Sequence, residues 1–354
     1  MSPSALLNRF PWAQSPLISN APMLGIATAR LATEVTKAGG FGFLPSSYDI
    51  SVGSAQLTKL ESDLNEARTL LGAEQPADGP LRVGASFITA HASITNFAET
   101  ALPIIEKHRP AAIWLFAPDG DVKPHGSIIA ALKSLEFPPA VFVQVGNVAA
   151  AREAVVDGAD VLVTQGVDAG GHQFRQGTSI VSFVPEARSM LDREFRGRDV
   201  SIVAAGGIAD GRGVAGALAL GAEGVVMGTR FTVSFESTFA DFRKELVLGA
   251  VDGGVSTFKS PFNDQISNSK LWGPLYDGRV IVGPLQKKYL AGASLEECQK
   301  SWKEEYSEEA AHHISCTWAG TGVGLISKAQ PGGEIVLEVR QEAKEALQRA
   351  AGLV

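Results

Sequence analysis

Short apolar runs alternate with amphipathic stretches along the chain to about residue 250, a pattern that predicts strand then helix eight times over. The predicted strands are 16–21, 41–44, 82–88, 111–117, 140–145, 160–166, 201–205 and 224–227. Several are apolar and β-branched throughout, as expected of strands buried on both faces of a parallel sheet. Helices are predicted from Thr28 to the Gly39-Gly40 pair, and over 57–71, 97–108, 127–135, 149–157, 185–194, 213–220 and 237–248. In the first of these, Thr28 is the expected N-cap, Leu31, Ala32, Val35 and Ala38 form the apolar stripe, and the glycines stop the helix. Eight such units over this length favour an α/β fold of the closed (β/α)8 TIM barrel type. An open, doubly wound sheet would favour a Gly-x-Gly-x-x-Gly turn after the first strand, and Ala21-Pro22-Met23-Leu24-Gly25 is not one.

After residue 250 the alternation lapses. Residues 256–283 are rich in Ser, Asn, Gly and Pro and read as irregular loops, and 295–313 as a polar helix with Leu295, Cys298, Trp302 and Tyr306 at helical spacing. The expected division is a barrel over 1–249, completed by a tail over 318–354, with a smaller helical appendage over 250–317 lying across the barrel mouth. Within the tail, 317–326 is glycine-rich and 334–351 reads as a charged helix.

Composition narrows the class of protein. With 354 residues and 45% hydrophobic content the chain can bury a large core, and a net charge of −7 with no Lys/Arg cluster argues against a nucleic-acid binder. Cys298 and Cys316 suggest no disulfide framework. Every apolar stretch is broken by Gly, Pro or a charge before it reaches membrane-spanning length, and the start lacks a signal-peptide core. A soluble, cytoplasmic protein is expected, and the sequence leaves homo-oligomerisation open.

The candidate chemistry sits at strand ends. Gly206-Gly207 and Gly228-Thr229 follow the seventh and eighth strands, where such barrels hold a phosphate on main-chain N–H groups; the bland alternative is tight turns. Gly170-Gly171 is followed at once by His172, whose imidazole can accept a proton near neutral pH and is the candidate general base. His91, His108, His125, His312 and His313 lack that context, and no spacing suggests a metal site. Gln144 and Gln165 end adjacent strands, where their amides could bond a ring's carbonyls and nitrogens or simply tie down loops. Of Trp114, Phe116, Trp272 and Trp318, only Trp318, set among glycines with Gly320 and Thr321, is assigned to a substrate pocket; the others are read as core.

These residues carry a resemblance. Asn20-Ala21-Pro22-Met23, Ala38-Gly39-Gly40-Phe41-Gly42, Gln165-Gly166-Val167-Asp168-Ala169-Gly170-Gly171-His172, Ala205-Gly206-Gly207-Ile208-Ala209-Asp210-Gly211-Arg212 and Met227-Gly228-Thr229-Arg230-Phe231 are similar to nitronate monooxygenases, formerly called 2-nitropropane dioxygenases. The resemblance implies FMN bound without a covalent link, its phosphate on Gly206, Gly207, Gly228 and Thr229. Its ring would lie near Ala21, Pro22, Met23, Gln144, Gln165, Gly170 and Gly171, with His172 as catalytic base. It also implies oxidation of nitronates or nitroalkanes by O2 to carbonyl compounds and nitrite. The chain departs from some relatives at Gln144 and Gln165, where they carry Lys and Asp, and at Gln173-Phe174, where many carry Arg-Gly. FMN-dependent enoyl reductases using NAD(P)H share an Ala-Gly-Gly-His, so that activity stands as the alternative, and a non-catalytic flavin-binding protein as a third.

Overall fold

The computed structural model describes residues 5–305 and 316–353; Tyr306, His312 and His313 of the expected polar helix lie outside the described residues. Eight parallel strands form one sheet: β1 (Leu17–Asn20), β2 (Gly42–Ser47), β3 (Leu81–Ile88), β4 (Pro110–Phe116), β5 (Ala140–Val145), β6 (Val161–Gln165), β8 (Ser201–Ala205) and β9 (Gly224–Met227). Its order runs β1-β9-β8-β6-β5-β4-β3-β2, and a parallel bridge between Ser19 and Phe41 brings the two ends together. The result is the expected (β/α)8 barrel.

Parity along each strand sorts the side chains into two cores. On β4 to β6, Ile113, Leu115, Val141, Val143, Val145 and Leu162 face outward under the helices. Ala112, Trp114, Phe116, Ala140, Phe142, Val161 and Val163 face inward and fill the barrel. Leu6 and Phe10 close its N-terminal end; the Phe10 ring lies 4.3 Å from Phe41 and 6.1 Å from Phe142. Both parities are apolar, which is why these strands read as unbroken runs. The inward set changes character at the opposite end, where Gln144 and Gln165 continue the rows begun by Phe142 and Val163. A polar layer therefore caps the inner core at the C-terminal mouth.

Thr28 caps the first helix as expected, its Oγ1 accepting from the Leu31 N–H at 3.0 Å. The eighth outer position departs from expectation. The helix after β9, Asp241–Gly249, buries Val247 in a separate cluster beside the 3-10 turn Thr321–Leu325. The C-terminal helix Gly332–Ala351 instead packs between Gly211–Ala219 and Ala29–Lys37, burying Ile335, Val336, Val339 and Ala343 in the outer core. Arg340 anchors it, donating to the carbonyls of Ala38 at 2.9 Å and Gly39 at 2.8 Å.

The expectation of irregular loops over 256–283 is corrected. β7 (Gly171–Phe174), β10 (Thr257–Ser260) and β11 (Tyr276–Ile281) form a three-stranded antiparallel sheet in the order β10-β11-β7 above the barrel mouth, with helix Phe262–Ser267 between β10 and β11. The polar helix that follows is Leu295–Glu304, with Cys298 buried. Among the described residues, no helix is long and apolar enough to cross a membrane.

One buried titratable group makes the fold acid-sensitive. His125 lies in the helix His125–Lys133, hydrogen-bonded to Thr89 at 2.9 Å, and burial pushes its imidazole from 6.5 down to about 4. The unfolded chain then binds more protons than the folded one between those values, so the contribution is complete above pH 6.5 and drains away toward pH 4. The drop is ~3 kcal/mol at ~1.4 kcal/mol per unit. Between pH 6.5 and pH 4, denaturant titrations should show wild type losing ~3 kcal/mol more than His125→Gln, whatever the offset between the two at neutral pH. Parallel curves would show that His125 does not drive the loss.

Candidate active site

All eight barrel strands send their C-terminal ends to one cavity of about 300 Å³. The entry loop after β1 is fixed by Asn20, whose side chain stands in for a strand partner. It donates to the Phe43 carbonyl at 2.8 Å and accepts from the Phe43 N–H at 3.0 Å. Ser46 secures the next turn, donating to the Pro22 carbonyl at 2.7 Å. Ala21, Pro22 and Met23 are thereby set as one wall.

Gly206 (φ +102°) and Gly207 (φ +74°) leave β8 in left-handed conformations that side-chain-bearing residues avoid. A Cβ on Gly206 would lie 2.8 Å from the Gly166 carbonyl oxygen. Gly170 meets a different limit, since a Cβ there would come within 2.5 Å of the backbone at Ala319 and Gly320. Among the described residues, the N–H groups of Gly206, Gly207, Gly228 and Thr229 have no hydrogen-bond partner, although all four residues line the cavity. Partly buried amides rarely go unpaired, so this donor set fits a ligand group rich in acceptor oxygens, as a phosphate is. Among the described residues, no Lys or Arg lines the cavity. Arg230, next to Thr229, turns away to Gln330 at 2.8 Å and the Lys328 carbonyl at 3.2 Å, so any anion here rests on neutral dipoles.

The polar cap is internally bonded. Trp114 Nε1 donates to Gln144 Oε1 at 3.1 Å, Gln144 Nε2 to Gln165 Oε1 at 2.7 Å, and Gln165 Nε2 to the His172 carbonyl at 3.2 Å. Each amide retains one N–H and one lone pair for a ligand. These two neutral amides bring no formal charge to the wall.

His172 sits within β7, opposite Gly278 of β11, so the strand pleat and not a loop sets its direction. Its ring stacks on Trp272 with centroids 3.8 Å apart and planes 11° from parallel, and Trp318 lies 4.6 Å away. Trp318 fits because residue 278 is glycine; a Cβ there would stand 2.4 Å from its ring. His172 Nε2 lies 2.9 and 3.1 Å from the two carboxylate oxygens of Asp264.

The candidate residues of the sequence converge on this cavity, with corrections. His172, Ala21, Pro22, Met23, Gln144, Gln165, Gly170, Gly171, Gly206, Gly207, Gly228, Thr229, Trp318 and Gly320 all line it. Thr321 does not: its N–H is tied to the Asp168 carbonyl at 2.9 Å in a turn behind the wall. Trp114 and Phe116 belong to the inner core as expected and reach the cavity from it, and Trp272 lines the cavity alongside Trp318. Gln173 turns inward, away from the cavity, and donates to the Ala169 carbonyl at 2.7 Å. Asp264 was missed, and no spacing signal links it to a histidine 92 positions earlier.

A parallel barrel whose mouth gathers main-chain amides, neutral glutamines, stacked aromatics and, among the described residues, one imidazole has the make-up of an enzyme site. The family model described as nitronate monooxygenase matches residues 11–342. A nitronate monooxygenase of Neurospora crassa is 47% identical over 351 residues, covering 96% of this chain and 92% of that protein. Nitronate monooxygenase npaC of Metarhizium robertsii is 33% identical, covering 97% and 95%. In fold, the chain is similar to FabK from Thermotoga maritima, with TM-score 0.74, 23% identity and full coverage of both chains. It is also similar to a nitroalkane oxidase from Streptomyces ansochromogenes, with TM-score 0.71, 21% identity and coverage of 98% and 100%. The chain belongs to the nitronate monooxygenase family and is a flavin oxidoreductase.

Proposed function

We propose that this chain holds FMN in the cavity and, with O2, converts alkyl nitronates and their parent nitroalkanes into carbonyl compounds and nitrite. When bound, FMN supplies one-electron transfer and oxygen chemistry. Gly206, Gly207, Gly228 and Thr229 would hold its phosphate through main-chain N–H groups. Ala21, Pro22, Met23, Gln144, Gln165, Gly170 and Gly171 would surround the ring, and Trp318 and Gly320 would border the substrate.

One observation carries the reading: His172, the one imidazole at the cavity among the described residues, stands beside an unpaired set of amides. A proton next to a nitro group is acidic because the resulting negative charge spreads over the nitro oxygens. His172 would take that proton from a neutral nitroalkane, whereas a preformed nitronate needs no base. Trp272 and Trp318 pack against the ring and leave the His172 side chain 11% exposed.

The test is the absorption spectrum of the purified protein, followed by an oxygen-electrode trace with nitroalkane and then nitronate. A flavin spectrum and oxygen uptake with nitronate are expected. A colourless protein that refuses added FMN would end the proposal. Rapid anaerobic bleaching by NADH, without nitronate-driven oxygen uptake, would favour the enoyl reductase. Bound flavin that no donor reduces would make the protein a non-catalytic binder.

A further inference from the structure

We infer that Asp264 is a positioning residue for His172: it fixes the hydrogen on Nε2, so that Nδ1 is the atom that takes the substrate proton. The inference rests on the proposed function and names how its base works.

Both oxygens of Asp264 converge on Nε2, at 2.9 and 3.1 Å, with the two side chains only 16% and 11% exposed. Among the described residues, no other side chain bonds that carboxylate. An ionised carboxylate only accepts, so the contact requires the ring hydrogen on Nε2, and a neutral imidazole then carries its lone pair on Nδ1. Trp272, stacked over one face, opposes the ring flip that would put Cε1 in the place of Nε2 beside Asp264.

The helix Phe262–Ser267 that carries Asp264 is itself anchored through the two residues before it. Phe262 is fully buried and stacked on Tyr289 at 4.5 Å, and buried Asn263 accepts from Gln286 Nε2 at 2.6 Å. Among the described residues, the Cys316 thiol also feels the Asp264 carboxylate. Burial and the Asp264 charge push its thiol up to about 12, so it stays neutral and brings no second negative charge. In the proton transfer, the substrate C–H bond breaks and an Nδ1–H bond forms. The electron pair passes to the nitro oxygens, leaving nitronate and an imidazolium whose charge Asp264 balances. No oxidant takes part in this step.

The experiment pairs ¹⁵N NMR of histidine-labelled protein with the rates of Asp264→Asn and Asp264→Glu. Wild-type His172 should show a protonated Nε2 and a bare Nδ1, the signal being assigned by its loss in His172→Asn. Asp264→Asn should disturb that tautomer and lower kcat/KM for a neutral nitroalkane about 10²-fold, with nitronate turnover within about threefold. Asp264→Glu should restore part of the nitroalkane rate. A wild-type ring protonated at Nδ1 would overturn the inference, as would equal losses on both substrates in Asp264→Asn. The wild-type tautomer decides the question even if the Asn variant does not fold. If wild type turns over neither substrate, the proposed function fails while the tautomer measurement still stands.

Discussion

Replacing His172 by Asn should nearly abolish turnover of a neutral nitroalkane and leave most of the activity on its nitronate. The asymmetry follows from where the base is needed. Removing the carbon-bound proton requires a group that accepts it in the transition state, and an amide cannot. A positioned general base contributes about 10²- to 10⁴-fold, so kcat/KM for the nitroalkane should fall in that range. The preformed nitronate has already lost the proton and should keep its rate within about fivefold, because the variant still offers the same cavity. Asn is smaller than His, so part of the Trp272 stack is lost and Asp264 loses its ring partner. Flavin content and melting temperature therefore belong beside the rates. Initial rates on nitroethane and on its freshly prepared nitronate decide the matter. Equal loss on both, at wild-type flavin content, would remove the proton-abstraction role.

What could be read from the chain follows from how each strand is buried. β3 to β6 have helices on one side and the barrel interior on the other, so their composition alone marks them. β7, β10 and β11 mix polar and turn-forming residues into their runs, so no unbroken apolar stretch marks them. Gly171 opens β7, and Asp277-Gly278 sits inside β11. Gly278 is there because Trp318 lies against it, a long-range reason that leaves no local pattern. The substitution of the C-terminal helix for the eighth outer helix is likewise a tertiary choice. Helix Asp241–Gly249 and helix Gly332–Ala351 are both amphipathic, and only packing assigns the second to the barrel. At the site, residues next to strand-end glycines were legible because the barrel gathers strand ends. Asp264 and Trp272 were not, since they reach the mouth from the added layer.

Two glycines of the expected phosphate cradle should respond to substitution in opposite ways. Gly228 has ordinary negative φ (−96°), and a Cβ there would meet only Ala21 Cβ at 3.8 Å and Met23 Sδ at 3.9 Å. Both contacts are comfortable, and both neighbours line the cavity, so Gly228→Val adds bulk where a ligand would sit without straining the backbone. FMN binding should weaken about 10²-fold, the equivalent of two charge-assisted hydrogen bonds at ~1.5 kcal/mol each. The flavin-free protein should unfold as wild type does. Gly206 is the converse case. Its φ of +102° and the 2.8 Å approach to the Gly166 carbonyl oxygen mean that Ala strains the main chain itself. Gly206→Ala should therefore lose ~1–2 kcal/mol or more even without flavin. Stability must be compared in the stripped proteins, because a ligand that binds only the folded state raises the apparent value. Wild-type FMN affinity in Gly228→Val would place the phosphate elsewhere, whatever the spectrum of the native protein shows.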